Sequence, residues 1–275
     1  MKFRGKRFLV TGATSGLGLA IVARLLRAGG VKVVAVGRDT SHLEKVLGDA
    51  PNVKVLSLDI SKPENIEFML DEAIRLMGGV DCVFACAGFG YHESFGRGKR
   101  PDYRHVERIF QTNVLSPIYT LEYLLAKTSH KVTFVSVSSM LGKFGLPYMS
   151  LYSATKHALA GFHSGYRFEK PKRLHLVTAY PITMKTPFWA RIAPNILLPK
   201  PIQSADAAAA AILKGLKQGK AEIYTHPASK IILMFPVIIP IYQLIYRLSV
   251  LCVPYHKSVK VFANLINPAE YSVLP

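Results

Sequence analysis

The chain has 275 residues, and 50% of them are hydrophobic, which is enough apolar surface for the core of a folded domain and excludes a largely disordered chain. Its 35 Lys and Arg against 17 Asp and Glu give a formal net charge of +18. Such a charge attracts polyanions, and a phosphorylated cofactor, anionic lipid headgroups and nucleic acid are the candidates. The basic residues are spread along the chain without a nucleic-acid-binding motif, so we expect no nucleic-acid partner.

Cysteine usage and the first residues of the chain bear on its location. Three cysteines, Cys82, Cys86 and Cys252, leave at least one thiol unpaired and show no metal-ligand spacing. The opening MKFRGKRFLV is basic, and its apolar stretch is too short for a secretory signal. We therefore expect a cytoplasmic protein without a metal site and without a cleaved signal.

Short β-branched runs alternate with amphipathic stretches of helical period from residue 6 onward. This alternation is typical of βαβ units in a parallel sheet with helices on both faces. The predicted strands span residues 7–11, 32–36, 53–58, 80–85, 131–137, 174–179 and 221–224. The predicted helices span residues 16–28, 42–47, 63–77, 103–126, 150–168 and 204–218. The sequence therefore predicts an α/β fold, a Rossmann-like, doubly wound sheet of about seven strands, formed by residues 1–227.

One predicted helix contains a proline. Pro117 lies inside the span 103–126. Because proline has no backbone N–H and its ring clashes with the preceding turn, we expect a kink or a shift there.

The C-terminal extension, residues 228–275, contains the most apolar stretch of the chain. Residues 231–254 carry a single charge, Arg247, and are nearly long enough to span a bilayer. Pro236, Pro240 and Arg247 argue against one clean membrane-spanning helix. Three interpretations stay open: an element attached to a membrane surface, a cover over a lipid-sized pocket, and an interface in a homo-oligomer, which we expect the protein to form.

A glycine-rich turn, TGATSGLG at residues 11–18, follows the first predicted strand and opens the first predicted helix. Gly12 allows the tight turn, Gly16 lets the backbone approach a pyrophosphate, and Gly18 lets the helix pack closely on the sheet. The helix N-terminus supplies free N–H groups and partial positive charge, which favours dinucleotide binding. The other candidates for cofactor contact in this turn are Thr14, Ser15 and Leu17.

The end of the second strand bears on the choice of cofactor. An acidic residue there would bond the ribose 2′-hydroxyl of NAD, but the chain reads Val36-Gly37-Arg38, with Asp39 one position later. Arg38 can pair with a 2′-phosphate through its planar fork, and Ser15 can donate to the same group. We therefore predict NADP(H) as the cofactor.

The strongest chemical signal is the pair Tyr152 and Lys156 in YSATK. The spacing i, i+4 puts both side chains on one helix face. An ammonium beside a phenol lowers the pKa of that phenol, so we expect Tyr152 to act as a general acid or base.

These features occur together in one order. The glycine turn, Asn113 in TNVLSP, Ser139 thirteen residues before Tyr152, and Lys156 resemble the short-chain dehydrogenase/reductase family over about residues 5–225. The resemblance implies hydride transfer between a nicotinamide cofactor and a carbonyl carbon. It implies that Ser139, with Ser138 as the alternative, bonds the substrate oxygen and that Asn113 holds a water linked to Lys156. It also implies that Lys156 binds the nicotinamide ribose.

Two further cofactor segments match the family pattern in part. Asp59 and Ile60 fall where the family holds the adenine ring, and Ala87 and Gly88 match the end of the fourth strand. Cys86 stands where the family usually has Asn, so a hydrogen bond made by that side chain is absent or replaced.

The family also has Pro-Gly-x-x-x-Thr after the sixth strand, against the nicotinamide. Pro181 and Thr186 match this pattern, and Ile182 replaces the glycine.

The substrate is expected to be hydrophobic. Residues 187–192 and 196–198, after the sixth strand, are markedly apolar, and AYPITMKTP resembles the corresponding segment of 3-ketosphinganine reductases. We expect NADPH-dependent reduction of a ketone or aldehyde of a hydrophobic substrate, lipids included. The alternative is a catalytically silent NADP-binding scaffold or redox sensor of the same fold.

Overall fold

The computed structural model describes residues 1–41, 43, 45, 50–95, 103–193 and 198–251. The predicted helix at 42–47 falls mostly outside these residues, as do Cys252 and the rest of the extension to residue 275.

Seven parallel strands form the central sheet, in the order β3-β2-β1-β4-β5-β6-β9. The strands of this sheet are β1 (Arg7–Thr11), β2 (Lys32–Gly37), β3 (Val53–Ser57), β4 (Cys82–Ala85), β5 (Val132–Val137), β6 (Leu174–Tyr180) and β9 (Glu222–Tyr224). All seven predicted strands are confirmed, with ends that differ by no more than two residues. The order reverses between β1 and β4, which is where doubly wound sheets bind ligands.

Helices cover both faces of the sheet. The α-helices whose bounds are described are α1 (Gly16–Ala28), α2 (Pro63–Met77), α3 (Tyr103–Phe110), α4 (Ser116–Lys127), α5 (Ser150–Glu169), α6 (Pro187–Ile192), α7 (Ala205–Lys217), α8 (Ala228–Met234) and α9 (Ile238–Leu251). Local sequence explains where α7 begins: the Ser204 hydroxyl caps it by accepting from Ala207 N at 3.0 Å, and an alanine run follows.

The core lies in two layers, one on each face of the sheet. Along β1, Phe8 and Val10 pack on one face with side chains of α1 and α7, while Leu9 packs on the other with side chains of α2 and α4. This alternation follows from the two-residue period of a strand. Because both faces are covered, every residue of β4 and β5 is buried.

The predicted helix at 103–126 is divided into three parts. A π-helical segment, Gln111–Leu115, separates α3 from α4, and Ser116 N donates to Gln111 O across it. Pro117 lies in the first turn of α4, where its missing N–H costs little. The expected shift is therefore present, but it precedes the proline and extends over five residues.

The carboxyl end of the sheet carries additional elements. After β6, the chain forms a short strand β7 (Thr183–Lys185), which pairs in parallel with β8 (Ile202–Ser204) to make a two-stranded ribbon. The sequence does not predict this ribbon, because a three-residue strand is too short to show a period of two. Buried Gln203 fixes the ribbon to the sheet by donating to Thr225 Oγ1 at 2.6 Å.

The extension forms two helices in its described part, α8 and α9. Within residues 1–251 as described, no single helix is long and apolar enough to cross a membrane; α8 and α9 reach that length and composition only as a pair, bent by 115° at the break between them.

Candidate active site

A cleft of about 300 Å³ opens at the carboxyl ends of β1 and β4. Sixteen of the seventeen predicted site residues line it: Gly12, Thr14, Ser15, Gly16, Leu17, Gly18, Arg38, Asp59, Ile60, Ala87, Gly88, Ser139, Tyr152, Lys156, Pro181 and Thr186. Asn113 does not line the cleft and is buried behind it. Residues spread over 175 positions of the sequence thus share one cavity, because parallel strands deliver their carboxyl ends to the same edge.

The glycine turn packs too tightly for side chains. Gly12 has φ +64°, and a Cβ there would lie 2.7 Å from the backbone N and Cα of Ala87. A Cβ on Gly18 would overlap the carbonyl of Gly12. Ser15 is the N-cap residue of α1, yet its hydroxyl makes no capping hydrogen bond. The turn therefore presents backbone and a hydroxyl to the cleft, which fits the phosphates of a dinucleotide.

Arg38 and Asp39 have different surroundings at the tip of β2. Arg38 is exposed and lines the cleft together with Ser15. The Asp39 carboxylate instead accepts hydrogen bonds from the Ser41 backbone N at 3.1 Å and hydroxyl at 2.6 Å, and Asp39 does not line the cleft. Asp39, the acid that would compete for a ribose hydroxyl, is thus hydrogen-bonded to Ser41.

Asp59 and Ile60 border the cleft beyond β3. The Asp59 carboxylate accepts from Ser61 N at 3.0 Å, and its carbonyl accepts from Asn65 Nδ2 at 2.8 Å. Ile60 is buried in the core layer of α2. Both residues are held in place by the start of α2.

Tyr152 and Lys156 lie on α5 with their functional groups in the cleft. Burial raises the pKa of Tyr152 to about 12, and a hydrogen bond with the Ser139 hydroxyl lowers it by less. Burial lowers the pKa of Lys156 to about 8. Lys156 Nζ donates to Val137 O at 3.0 Å and lies 5.5 Å from the Tyr152 ring centroid.

The expectation that Lys156 lowers the pKa of Tyr152 is therefore wrong for the protein by itself. Desolvation of the phenol is the largest cause of the pKa shift, the Ser139 hydroxyl is the group that opposes it, and the Lys156 ammonium is bonded to the Val137 carbonyl. Tyr152 keeps its proton at neutral pH, and Lys156 with a pKa of about 8 stays mostly protonated.

The structure separates Ser139 from Ser138. Ser138 is buried, and its hydroxyl donates to Lys156 O at 3.1 Å, so it braces α5 against β5. Ser139 Oγ accepts from Leu141 N at 3.1 Å and bonds Tyr152. Of the two, Ser139 is the one whose hydroxyl meets the Tyr152 phenol.

Asn113 lies in the π-helical segment and holds the chain after β4. Its Oδ1 accepts from Phe89 N at 3.0 Å, and its Nδ2 donates to Phe89 O at 2.8 Å and to Thr155 Oγ1 at 3.1 Å. The π segment turns Asn113 inward, in keeping with the frequent occurrence of such bulges at functional sites. Asn113 thus positions the segment that carries Gly88.

Cys86 and Ile182, which depart from the family pattern, are both involved in packing next to the cleft. Near Cys86, the Thr11 hydroxyl accepts from Ala87 N at 3.3 Å, and burial raises the pKa of the Cys86 thiol to about 12, so the thiol stays neutral. Ile182 is buried among apolar side chains that include Ile232 and Tyr242 of the extension. A glycine at position 182 would lack this contact with α8 and α9.

Several lining residues were not predicted from the sequence. Phe144, Leu146, Ile232 and Tyr242 form an apolar wall with Phe188 and Trp189 of α6, and Arg191 and Lys200 also border the cleft. The apolar run at 187–192 indicated the α6 part, and the pocket-cover interpretation of residues 231–254 indicated Ile232 and Tyr242. No local pattern marks Phe144 or Leu146, because they follow a short 3₁₀ turn after β5.

Fold and cleft together define a doubly wound α/β protein of the dinucleotide-binding class. The family described as short chain dehydrogenase matches residues 6–196, so the chain belongs to that family of oxidoreductases. A short chain dehydrogenase from Burkholderia cenocepacia, solved in complex with NADP, superposes with a TM-score of 0.73 at 24% identity, covering 86% of this chain and 94% of that one.

Two curated relatives show how far the similarity extends. Dehydrogenase/reductase SDR family member 7B of Xenopus laevis is 31% identical over 193 residues, 65% of this chain and 58% of that relative. The 3-ketodihydrosphingosine reductase of Dictyostelium discoideum is 24% identical over 303 aligned positions, 98% of this chain and 89% of that relative. The chain thus spans less than two thirds of the length of the member 7B relative.

Proposed function

We propose that the protein is an NADPH-dependent reductase of ketones or aldehydes on a hydrophobic substrate. The observation that carries the proposal is Tyr152, a phenol that burial keeps protonated, hydrogen-bonded to Ser139 inside the cleft that the glycine turn borders. A protonated donor of this kind suits reduction, in which the carbonyl oxygen must gain a proton.

Ser139, Tyr152 and Lys156 have separate roles in the proposed reduction. When bound, the nicotinamide cofactor supplies the hydride that reduces the carbonyl carbon. Ser139 and Tyr152 hydrogen-bond the carbonyl oxygen and polarise it. As negative charge develops there, Tyr152 transfers its proton to that oxygen, which becomes a stronger base than the phenolate. The Lys156 ammonium stabilises the phenolate left on Tyr152 and holds the cofactor ribose.

The cofactor preference rests on Arg38 and Ser15. The two side chains share the end of the cleft beyond β2, and Asp39 is bonded to Ser41. A guanidinium fork pairs with a 2′-phosphate and repels no part of it, so NADPH is favoured over NADH.

The substrate class rests on the apolar wall of the cleft. Leu146, Trp189 and Tyr242 belong to the apolar cluster against which Tyr152 packs, and Ile232 lines the same cleft. The relative that aligns over 98% of this chain is named a 3-ketodihydrosphingosine reductase. We therefore propose long-chain ketones as the first substrates to test.

The test is NADPH oxidation at 340 nm with ketones graded from small to long-chain. We expect turnover with the apolar ketones and a loss of at least about 100-fold in kcat in Tyr152→Phe. Tyr103→Phe, the same chemical change on an exposed tyrosine, is the matched control. A protein that binds NADPH but turns over no carbonyl in a Tyr152-dependent manner would instead be the silent scaffold.

The cofactor proposal has its own variant. Arg38→Asp should shift the ratio of kcat/KM for NADPH over NADH by at least tenfold toward NADH, since the carboxylate repels the phosphate and accepts from the ribose. Lys2→Asp makes the same charge change at another exposed site and should leave the ratio unchanged. An unaltered ratio in Arg38→Asp would remove Arg38 from the site.

We further propose that the outer face of α8 and α9 rests on a membrane surface. It exposes Ile231, Met234, Phe235, Val237, Ile241, Leu244, Ile245, Leu248 and Leu251, each between 51% and 72% exposed. The net charge of +18 favours anionic lipid. In a flotation assay, the wild type and the control Phe168→Glu should rise with anionic liposomes, and Leu244→Glu/Leu248→Glu should not. Equal flotation of all three would contradict the proposal, and dissociation of a dimer by the double variant would assign the face to a second copy.

A further inference from the structure

Helix α9 is joined to the domain by two hydrogen bonds on one of its faces. Gln243 Nε2 donates to Gly145 O at 2.7 Å. The Tyr246 hydroxyl lies 3.0 Å from His92 Nε2, and the Tyr246 side chain is only 4% exposed, packed in a cluster with Leu146 and Trp189. His92 and Gly145 lie on the loops that follow β4 and β5, and other residues of those loops, Phe89, Phe144 and Leu146, line the cleft.

Polar groups of α9 set which of its faces turns inward. The outer face carries Ile241, Leu244, Ile245 and Leu248 beside exposed Arg247, so apolar side chains lie on both sides of the helix but the charge lies only on the outer side. Burial of apolar area by itself favours either side, while the cost of burying the Arg247 guanidinium keeps the outer side exposed. Hydrogen bonds from Gln243 and Tyr246 are directional, and only the observed rotation of the helix makes both.

Contacts with Tyr148 hold His92 and its neighbour Glu93 in place. The His92 ring stacks on Tyr148 with centroids 5.4 Å apart, and the adjacent Glu93 N donates to Tyr148 O at 2.8 Å. Tyr148 has φ +62°, a left-handed conformation that among the described residues no other side-chain-bearing residue adopts. Burial lowers the pKa of His92 to about 4, so the imidazole that meets Tyr246 is neutral.

The rotation of α9 sets what the cleft meets. Tyr242 lies one turn before Tyr246, lines the cleft and packs edge-on against Phe144, with centroids 6.1 Å apart. It contacts both the apolar cluster of Leu146 and Trp189 and the cluster of Ile182. Tyr242 is therefore the side chain through which a shift of α9 changes the volume of the cleft.

We propose that Tyr242 is a specificity-determining residue that limits the size of the apolar substituent beside the carbonyl, and that the His92–Tyr246 and Gln243–Gly145 hydrogen bonds are the latch that positions it. The proposal rests on the proposed carbonyl reductase function. The substrate class it implies is a ketone whose apolar substituent lies against the tyrosine ring. His92, Gln243 and Tyr246 are positioning residues that act through α9.

The first experiment measures kcat/KM over a series of ketones of increasing bulk. Tyr242→Ala should raise the ratio of kcat/KM for bulky over small ketones by about tenfold, because a pocket that gains this volume admits groups it excluded. Tyr103→Ala truncates an exposed tyrosine outside the cleft and should leave the ratio at the wild-type value. An unchanged ratio in Tyr242→Ala would overturn the proposal.

The second experiment tests the latch and needs no turnover. Tyr246→Phe keeps the buried ring and removes the hydroxyl, so the fold is retained while hydrogen exchange of the amides at 238–251 becomes about tenfold faster. His92→Ala should give a similar increase, and the double variant should exchange no faster than the faster single variant. Increases that multiply in the double variant, or exchange equal to the wild type in Tyr246→Phe, would overturn the latch.

The two proposals fail in different ways. A wild type that reduces no ketone defeats the proposed function, while hydrogen exchange still decides the latch. A wild type that reduces ketones with the same size preference as Tyr242→Ala leaves the function standing and defeats the inference.

Discussion

Gly90 offers a test of how finely Tyr152 is placed. The residue is buried behind two rings, Tyr152 and Phe188, whose centroids are 5.3 Å apart. A Cβ at position 90 would lie 2.9 Å from Phe188 Cζ and 3.1 Å from Tyr152 Cδ2, where ordinary contacts begin at 3.4 Å. Gly90→Ala therefore forces each ring to move by about 0.3 to 0.5 Å, which shifts the proton donor.

The expected cost follows from that displacement. A misplacement of about 1 Å at a reacting group can cost about 100-fold in rate, so a shift of this size should lower kcat by roughly three- to tenfold. The affinity for NADPH should stay within about twofold, because Gly90 does not line the cleft.

Steady-state kinetics at 340 nm with the best ketone gives kcat, and fluorescence titration gives the Kd for NADPH. Gly161→Ala is the control, because it lies on the same helix as Tyr152 and a Cβ there meets nothing within 4 Å. A kcat equal to the wild type in Gly90→Ala, or a Kd for NADPH that rises in step with the loss of kcat, would refute the reasoning.

Two further predictions concern stability. Gly161→Ala/Gly165→Ala should raise the free energy of unfolding by about 2 kcal/mol, since both glycines are exposed on α5 with open space around them; an unchanged melting temperature would contradict this. Burial lowers the pKa of His163 to about 4 against about 6.5 unfolded, so the unfolded chain binds the extra proton and stability is lost as pH falls from about 6.5 toward 4. Between pH 7.5 and 5, urea unfolding should show the wild type losing about 2 kcal/mol more than His163→Gln, and equal losses would exclude the buried neutral imidazole.

The cleft illustrates how far sequence reasoning reaches. The glycine turn, Tyr152 and Lys156 were identified because their chemistry depends on local spacing: a turn followed by a helix, and two side chains one helical turn apart. The sequence predicts the pKa of Tyr152 in the wrong direction, because the effect of burial depends on neighbours such as Gly90, Ser139 and Phe188, which the spacing of two residues does not report.

Ile182 is a second residue whose role the sequence does not predict. In the sequence it was a departure from a family glycine, with no compensating residue in view. The structure places it against Ile232 and Tyr242, fifty and sixty positions later, so the substitution supplies apolar surface on which the extension packs. A pairing at that separation leaves no periodic signal in a single chain.

The sequence by itself determined the strand and helix pattern, the glycine turn after β1 and the Tyr152–Lys156 pair, because hydrophobic period, backbone freedom and i, i+4 spacing are local properties. Only the tertiary structure decided that His92 meets Tyr246, which face of α9 turns inward and that Tyr242 lines the cleft. The physical reason is that α9 carries apolar side chains on both faces, so polar groups fix its rotation: the hydrogen bonds to His92 and Gly145, far away in the chain, and the exposed Arg247 on the outer face.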